Sequence, residues 1–263
     1  MTAVSIRNVS KVFNQGKPNQ VDALSNVALE VKQGEFVSLI GPSGCGKSTL
    51  LRLVANLLEP TAGEVVVNGK SAAQARLDQD YGMAFQQAGL FDWRTVRKNI
   101  ELPLELKGWD KSKRSARADE MLQLVQLPEF GDHYPWQLSG GMQQRIAIAR
   151  ALAAHPPLLL MDEPFGALDE MTREHLNEEL LGIRQATGWT AFFVTHSVAE
   201  AVFLSNRIVV MAANPGRVHA EIAVPLPYPR TPETRVSRAY LDLVAQVSRV
   251  LRSVEDSAGP FAP

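Results

Sequence analysis

One stretch of the sequence combines glycines, a lysine and a hydroxyl at a spacing suited to binding phosphate. Glycines let the main chain turn so that several amides face a phosphate oxygen. Lys47 would then contact the β- and γ-phosphates of a nucleotide, and the Ser48 hydroxyl would ligate Mg2+. Cys45 stands at a variable position of the pattern and is interpreted as a bystander. The predicted phosphate-binding residues are Gly41, Pro42, Ser43, Gly44, Cys45, Gly46, Lys47, Ser48 and Thr49.

The flanks of this stretch complete the P-loop motif. The short apolar run of residues 36–40 precedes it, and helix-forming residues follow over 49–58. This order predicts a buried strand, a tight turn and then a helix. The helix would add the positive end of its dipole to the turn. The motif therefore predicts a nucleoside-triphosphate site.

Two carboxylates follow a second hydrophobic run, residues 158–161. Ligands of parallel α/β sheets bind at the carboxyl ends of the strands, where Asp162 and Glu163 would lie. Asp162 is placed to hold Mg2+ through water. Glu163 is the candidate general base that polarises the attacking water. Together with the P-loop, this pair predicts hydrolysis of the nucleotide.

The elements around these motifs alternate in the manner of an α/β protein. Apolar residues recur at strand spacing near the N-terminus. Residues 87–154 have few strand-like runs, and they carry an amphipathic pattern over 113–127 and a second helical pattern over 140–153. This stretch is therefore predicted to be a helical insertion. Strand and helix patterns then return over 158–211.

Composition excludes several functional classes. The chain has 263 residues, 45% of them hydrophobic, and a formal net charge of −1, so nucleic-acid binding has little electrostatic support. A single cysteine excludes an internal disulfide. The N-terminus lacks the pattern of a secretory signal. No apolar run approaches the roughly 20 residues that cross a bilayer, so any transport pathway would belong to other chains.

A further motif narrows the class. The run Leu138-Ser139-Gly140-Gly141-Met142-Gln143-Gln144-Arg145 resembles the signature of ABC ATPases, with Met142 where glutamine is more usual. Because the run begins a helix, Ser139 and the amides of Gly140 and Gly141 would form a second anion site. Taken alone, the same run also suits an ordinary N-capped helix without a ligand.

The resemblance implies roles for four more residues. Gln86 is similar to the Q-loop glutamine that senses Mg2+ and the attacking water. Asp169, in the run 166–169, resembles the D-loop residue at the dimer interface. His196 resembles the switch histidine on the γ-phosphate, and Phe13 stands where the family stacks an aromatic ring on adenine. A purely structural place in the core remains an alternative for Phe13 and for His196.

The resemblance also implies a fold. We expect a P-loop NTPase (RecA-like) α/β core with an N-terminal antiparallel β subdomain and an inserted α-helical subdomain at about 87–154. These parts would make up an ABC ATPase domain over residues 1–225. Residues 226–263 would form a proline-rich linker and a C-terminal helix, whose apolar face carries Val236, Tyr240, Val244, Val247 and Leu251. That face would pack on its own domain or contact a partner.

The sequences of two segments that flank the signature and the acidic pair indicate an importer. Residues 134–137 and 165–173 are similar to a branch that imports nitrate, sulfonate, taurine and related small solutes. The resemblance implies ATP and Mg2+, a homodimer in which each P-loop is closed by the partner's signature helix, separate transmembrane permease subunits, and indirectly a solute-binding protein. The chain would lie peripherally on the cytoplasmic face of the inner membrane.

Several alternatives remain open at this point. Phe91 and Trp93, in the loop 86–96, would form the groove that receives the permease, or would pack locally in the core. An exporter's ATPase subunit and an ABC ATPase without a transporter are the alternative functions. Bicarbonate and vitamin-precursor pyrimidines are alternative solutes.

Overall fold

The computed structural model describes residues 1–166 and 168–257. The chain forms two compact units: unit 1 is Met1–Asp80 with the described residues from Thr190 onward, and unit 2 is Tyr81–Trp189. The strands are β1 (Thr2–Phe13), β2 (Val21–Lys32), β3 (Phe36–Ile40), β4 (Ala62–Val67), β5 (Lys70–Ser71), β6 (Tyr81–Phe85), β7 (Leu158–Asp162), β8 (Thr190–Val194), β9 (Arg207–Ala212) and β10 (Arg217–Ala223). The helices are α1 (Lys47–Val54), α2 (Ala72–Leu77), α3 (Val96–Leu106), α4 (Lys111–Leu124), α5 (Gly140–Leu152), α6 (Glu170–Thr187), α7 (Val198–Leu204), α8 (Pro232–Arg235) and α9 (Arg238–Ser257).

Unit 1 contains the predicted antiparallel sheet, with strand order β2-β1-β4-β5. The long strand β1 pairs with β2 on one side and with β4 on the other. Val27, Leu29 and Val31 of β2 are buried, whereas the residues between them are exposed. This period of two is typical of a strand with one face on a core.

Unit 1 also contains the parallel strands that precede and flank the predicted phosphate-binding turn. Strand β3 pairs in parallel with both β8 and β9, and β10 pairs with β9 in the antiparallel sense. Each of the five residues of β3 is buried, as expected of a parallel strand covered on both faces. The carboxyl ends of β3 and β8 therefore lie at the same edge, where the amide of Thr195 donates to the Leu39 carbonyl at 3.3 Å.

The C-terminal segment packs on helix α7 of unit 1. The last carbonyls of a helix have no partner within it, and here side chains from the segment supply donors. Buried Arg230 donates to the carbonyls of Val202 (3.0 Å) and Phe203 (2.7 Å), and the Tyr228 hydroxyl donates to Leu204 at 2.7 Å. The segment therefore completes the hydrogen bonding of α7.

The predicted apolar face of the C-terminal helix is partly wrong. Tyr240 and Val247 are buried as expected, but Val236 is 76% exposed and lies between α8 and α9. Since a turn separates the two helices, Val236 does not follow the periodicity of α9. The part of the predicted tail over 258–263 lies outside the described residues.

Unit 2 contains the predicted helices over 113–127 and 140–153, which the structure places as α4 and α5. Both pack with α3, and α5 also lies against β6. The approach to β6 is close at Gly82, where a Cβ would stand 2.1 Å from the Ala151 carbonyl oxygen. Strands β6 and β7 pair in parallel.

Throughout the described residues, none of the helices is both long and apolar enough to cross a membrane.

Candidate functional site

The phosphate-binding turn of unit 1 lies between β3 and α1, as predicted. Gly46 is the N-cap of α1 with φ +90°, in the left-handed region that glycine adopts without strain. A Cβ there would stand 2.6 Å from Leu24 Cδ2. At the start of the turn, a Cβ on Gly41 would stand 2.6 Å from the Met211 carbonyl oxygen. Glycine is therefore favoured at position 46 chiefly by the left-handed backbone conformation, and at position 41 by the close approach of the Met211 main chain.

Lys47 is folded into the turn that carries it. Its side chain is only 6% exposed, and its ammonium donates to the carbonyls of Gly41 (2.8 Å) and Pro42 (3.1 Å). These bonds stabilise a cation at the N-terminal end of α1, where the helix dipole opposes it. The Cys45 sulfur lies 3.7 Å from the ammonium, yet burial raises the pKa of the thiol, so it stays protonated. The geometry gives Cys45 no chemical role.

One residue that contacts the P-loop, Gly216, was not predicted from the sequence. Gly216, between β9 and β10, accepts a hydrogen bond from the Ser25 amide (2.9 Å) and donates to the Ala23 carbonyl (3.2 Å). A Cβ on Gly216 would stand 2.3 Å from the Cys45 carbonyl oxygen. The sequence Asn-Pro-Gly over 214–216 signals a turn, but only the fold shows that this turn supports the P-loop.

His196 follows β8 at the same edge of the parallel strands as the P-loop. It is exposed, which argues against the alternative of a core histidine. The residues beside it are firmly held: Thr195 donates from its hydroxyl to buried Glu200, and the Ser197 hydroxyl accepts from the Glu200 amide at 3.3 Å. His196 is thus presented at the start of α7.

Phe13 lies at the end of β1 and is half-buried. The Lys11 ammonium lies 5.2 Å from the centre of its ring, within the range of a cation–π contact. An aromatic ring that is not enclosed in the core leaves a surface on which a base could stack.

In unit 2 the carboxyl ends of β6 and β7 bring three predicted residues to one edge. Phe85 and Asp162 are register partners, so Gln86 and Glu163 follow side by side. Asp162 is 8% exposed. The backbone of Glu163 has φ +50°, a conformation that residues other than glycine adopt uncommonly. Such strain is often found where a side chain has to point in a particular direction.

Gly166 lies close to both Gln86 and the turn after Glu163. A Cβ on Gly166 would stand 3.3 Å from Gln86 Nε2 and 3.4 Å from the Glu163 carbonyl oxygen. The end of the Gln86 side chain therefore lies beside the turn that carries Glu163, although both residues come from different strands.

The signature run forms the start of α5. The Ser139 hydroxyl accepts from the Met142 amide at 3.3 Å and caps the helix. The amides of Gly140 and Gly141 belong to the first turn of α5, where main-chain N–H groups have no acceptor within the helix. They point outward from the positive end of the helix dipole. A Cβ on Gly140 would stand 3.9 Å from Leu168 Cδ2, so the helix start lies beside the predicted D-loop.

Asp169 caps helix α6. Its carboxylate accepts from the Thr172 amide at 3.0 Å, and this hydrogen bond from the main chain holds the pKa of Asp169 below its ordinary value. Ala167, which the D-loop prediction includes, lies outside the described residues.

The loop from Gln86 to Val96 carries the predicted aromatic pair. The rings of Phe91 and Trp93 lie 4.8 Å apart, and Trp93 is 75% exposed. Fully buried Asn99 holds the loop by donating to the carbonyls of Phe91 (3.1 Å) and Arg94 (3.1 Å). Phe91 therefore packs locally, whereas Trp93 presents most of its surface to solvent.

A glycine-rich turn of P-loop sequence between a buried parallel strand and a helix, within an α/β fold, is typical of a P-loop nucleoside-triphosphatase. The family described as ABC transporter matches residues 24–166, more than half of the chain. The chain belongs to the ABC transporter family, and it is an ATPase of that family.

Similar proteins agree with this assignment. The taurine import ATP-binding protein TauB of Roseobacter denitrificans is 45% identical over 86% of this chain and 83% of that protein. The aliphatic sulfonates import ATP-binding protein SsuB of Bacillus cereus is 47% identical over 87% and 88%. Among solved structures, a dimeric post-hydrolysis state of the ATP-binding cassette MJ0796 with ADP and Pi matches with a TM-score of 0.75 and 38% identity, covering 85% of this chain and 100% of that chain.

Proposed function

We propose that this chain is the ATP-hydrolysing subunit of an importer for a small solute of the sulfonate or taurine type. The observation that carries the proposal is the pairing of a complete P-loop with a serine-capped, glycine-led helix start on one chain. Each is an anion site, and a simple nucleotide hydrolase needs only the first.

The residues that bind ATP are proposed from their chemistry. Phe13 stacks on the base, the P-loop amides and Lys47 hold the phosphates, and His196 contacts the γ-phosphate. The proposed set of nucleotide-binding residues is Phe13, Gly41, Pro42, Ser43, Gly44, Cys45, Gly46, Lys47, Ser48 and Thr49 from one chain, and Ser139, Gly140, Gly141 and Asp169 from its partner. Cys45 contributes through its main chain alone, since its thiol is buried.

The proposed ligands of Mg2+ fit a hard cation, because the Ser48 hydroxyl, the Gln86 amide and the Asp162 carboxylate all offer oxygen. Among the described residues, no group of three His, Cys, Asp or Glu side chains is arranged to hold a metal. With one carboxylate in the set, binding of the cation would depend on phosphate oxygens, as Mg2+ sites of nucleotides commonly do. When bound, the ion would offset charge on the transferring phosphoryl group.

Hydrolysis follows from the remaining residues. The Glu163 carboxylate orients a water molecule and accepts its proton while the water attacks the γ-phosphorus. The bond between the γ-phosphorus and the β–γ bridging oxygen breaks, so that ADP and inorganic phosphate are released. Gln86, whose amide end lies beside the Glu163 turn, orients the same water. His196 and Lys47 stabilise the charge that develops on the phosphate oxygens.

A second copy of the chain would complete each site. The helix start at Ser139–Gly141 is exposed or half-exposed and would contact the γ-phosphate held by the other copy's P-loop. Two ATP molecules would then join two copies head to tail, and hydrolysis would remove the bridge. Closing and opening of this dimer is the work delivered to the membrane subunits.

The exposed Trp93 supports a docking role for the loop 86–96. We propose that it receives a cytoplasmic helix of separate permease subunits, so that the chain lies peripherally at the cytoplasmic face of the membrane. A solute-binding protein would deliver the solute to the opposite face. The import direction and the solute class rest on the relatives named for taurine and aliphatic sulfonates.

Two variants test the shared site. Glu163→Gln should keep ATP binding, lose nearly all turnover and accumulate as an ATP-dependent dimer in size-exclusion chromatography with light scattering. Adding Ser139→Arg should spare ATP binding by the monomer and abolish the dimer, because the long cation blocks the helix start. Normal dimerisation of the double variant would refute the shared site, and unchanged turnover of Glu163→Gln would refute the base.

The transport role needs a separate test. A strain from which the gene for this protein is deleted should no longer grow on taurine or an alkanesulfonate as sole sulfur source. The wild-type gene should restore growth, and the Glu163→Gln variant should not. Unimpaired growth and uptake of labelled taurine and alkanesulfonate would refute the proposed solute class.

A further inference from the structure

One side chain of helix α5 contacts the main chain of both catalytic loops of unit 2. Gln144 is 4% exposed, and its amide nitrogen donates to the carbonyls of Phe85 (3.0 Å) and Gln86 (2.8 Å). The same nitrogen donates to Pro164, the residue after Glu163. A single amide group on the signature helix thus bonds the loop of Gln86 and the turn of Glu163.

Within the described part of the chain, only the nitrogen end of the Gln144 amide has hydrogen-bond partners. The other end of the Gln144 amide, Oε1, is buried and accepts no hydrogen bond from any described residue. A buried acceptor without a donor costs free energy of folding. An apolar residue of similar size would avoid that cost but would leave the carbonyls of Phe85, Gln86 and Pro164 without this donor. What the amide contributes is therefore its hold on these three carbonyls.

A second residue of α5 extends the attachment. Arg150 donates to the carbonyls of Ala88 and Gly89, each at 2.8 Å. Gln144 and Arg150 lie almost two turns apart on the helix. The main chain over residues 85–89 is therefore fixed to α5 at four carbonyls, and the loop has to follow the helix when the helix moves.

We propose that Gln144 is a positioning residue for hydrolysis. It holds the main chain of Gln86 and the turn after Glu163 at a fixed place relative to the helix whose first residues contact a second copy's ATP. Engagement of Ser139 at one end of α5 would thereby be transmitted to the two residues that orient the attacking water. This inference rests on the roles proposed above for Glu163, Gln86 and Ser139.

The test separates catalysis from binding. Gln144→Leu keeps an apolar stem of similar volume but removes the amide and with it both N–H donors. The expected result is a fall in kcat of about 10- to 100-fold, because a displacement near 1 Å of catalytic groups has effects of this order. The dissociation constant for ATP of the monomer should stay within about twofold, since no donor to the P-loop is removed.

A matched control removes similar hydrogen bonds elsewhere on the same helix. Arg117 donates to the carbonyls of Ala153 (3.0 Å) and Leu152 (3.4 Å) at the far end of α5. Arg117→Met should lower the Tm without lowering kcat at 25 °C. Gln144→Met, which keeps the length of the side chain and lacks the N–H donors, should reproduce the kcat effect if the leucine variant does not fold.

A double variant distinguishes this inference from the proposed function. Gln144→Leu with Glu163→Gln should still dimerise with ATP, because both phosphate-contacting ends remain. Unchanged kcat in Gln144→Leu, a weaker ATP affinity that accounts for the loss, or an equal loss in Arg117→Met would overturn the inference. Failure of Glu163→Gln alone to dimerise would instead refute the shared-site function.

Discussion

Replacing Gly216 by alanine should weaken ATP binding although Gly216 lies outside the P-loop. The added Cβ would stand 2.3 Å from the Cys45 carbonyl oxygen and 2.6 Å from the Ala23 carbonyl oxygen, whereas Cβ atoms essentially never approach a heavy atom within 3.0 Å. The two main chains therefore have to separate by at least about 0.7 Å at Cys45. Both contacts are with backbone, which cannot rotate away.

The size of the effect follows from the cost of overpacking. Forced displacement of a packed main chain costs about 1–3 kcal/mol. Without nucleotide the turn can relax, but phosphate binding needs the amides in one arrangement, so the cost falls on the bound state. The dissociation constant for ATP should rise about 5- to 150-fold. Isothermal titration calorimetry on the purified chain measures this directly.

The chain offers a matched control for this substitution. Gly182, in α6, is exposed, and beyond its own helix backbone and its chain neighbours an added Cβ would meet no atom of the described residues within 4 Å. Alanine in a helix is about 0.5–1 kcal/mol more favourable than glycine. Gly182→Ala should bind ATP normally and melt at the same or a slightly higher temperature. If folded Gly216→Ala bound ATP as tightly as Gly182→Ala, the turn over 213–216 would not set the geometry of the P-loop.

Other substitutions test separate parts of the molecule. Lys47→Ala should raise the dissociation constant for ATP at least about 100-fold, because two or more charge-assisted hydrogen bonds of about 1.5 kcal/mol each are lost; a fluorescent ATP analogue reports it, and normal affinity would contradict the P-loop assignment. Trp93→Ala should weaken binding to the permease subunits about 30-fold, as expected for an interface tryptophan; unchanged co-purification in detergent would exclude the docking role. Arg230→Met should lower the free energy of unfolding by about 2–3 kcal/mol, since carbonyls at the end of α7 lose a charged donor; calorimetry should show the Tm lowered by about 5–10 °C, and an unchanged Tm would show that these bonds are dispensable.

The sequence predicted those strands and helices that a short local pattern of residues is enough to recognise. Strand β3 could be recognised because its mostly apolar run is short and is followed by the P-loop. The helices α4 and α5 could be recognised from periodicity and from the Ser139 cap. These features depend on residues close together in the chain, which is the information that a local pattern carries.

Other elements could not be predicted because long-range packing decides them. Strand β6 contains Gly82, which weakens strand propensity and is present because α5 approaches closely there. Helix α3 contains Pro103, which argues against a helix in a local pattern. The support of Cys45 by Gly216 and of Gln86 by Gln144 joins residues far apart in the chain. A motif identifies Cys45 and Gln86, but only the fold identifies the residues that hold them.

The make-up of unit 1 bears on how the protein is synthesised. Strand β3 emerges from the ribosome early, yet its two neighbours, β8 and β9, begin at Thr190 and Arg207, after unit 2 has been translated. Contacts of such large sequence separation form late, because a long loop must close before they are gained. The nascent chain therefore carries an unpaired strand, apolar except for Ser38, until most of its length has been made. The predicted phosphate-binding turn matures only with the final strands.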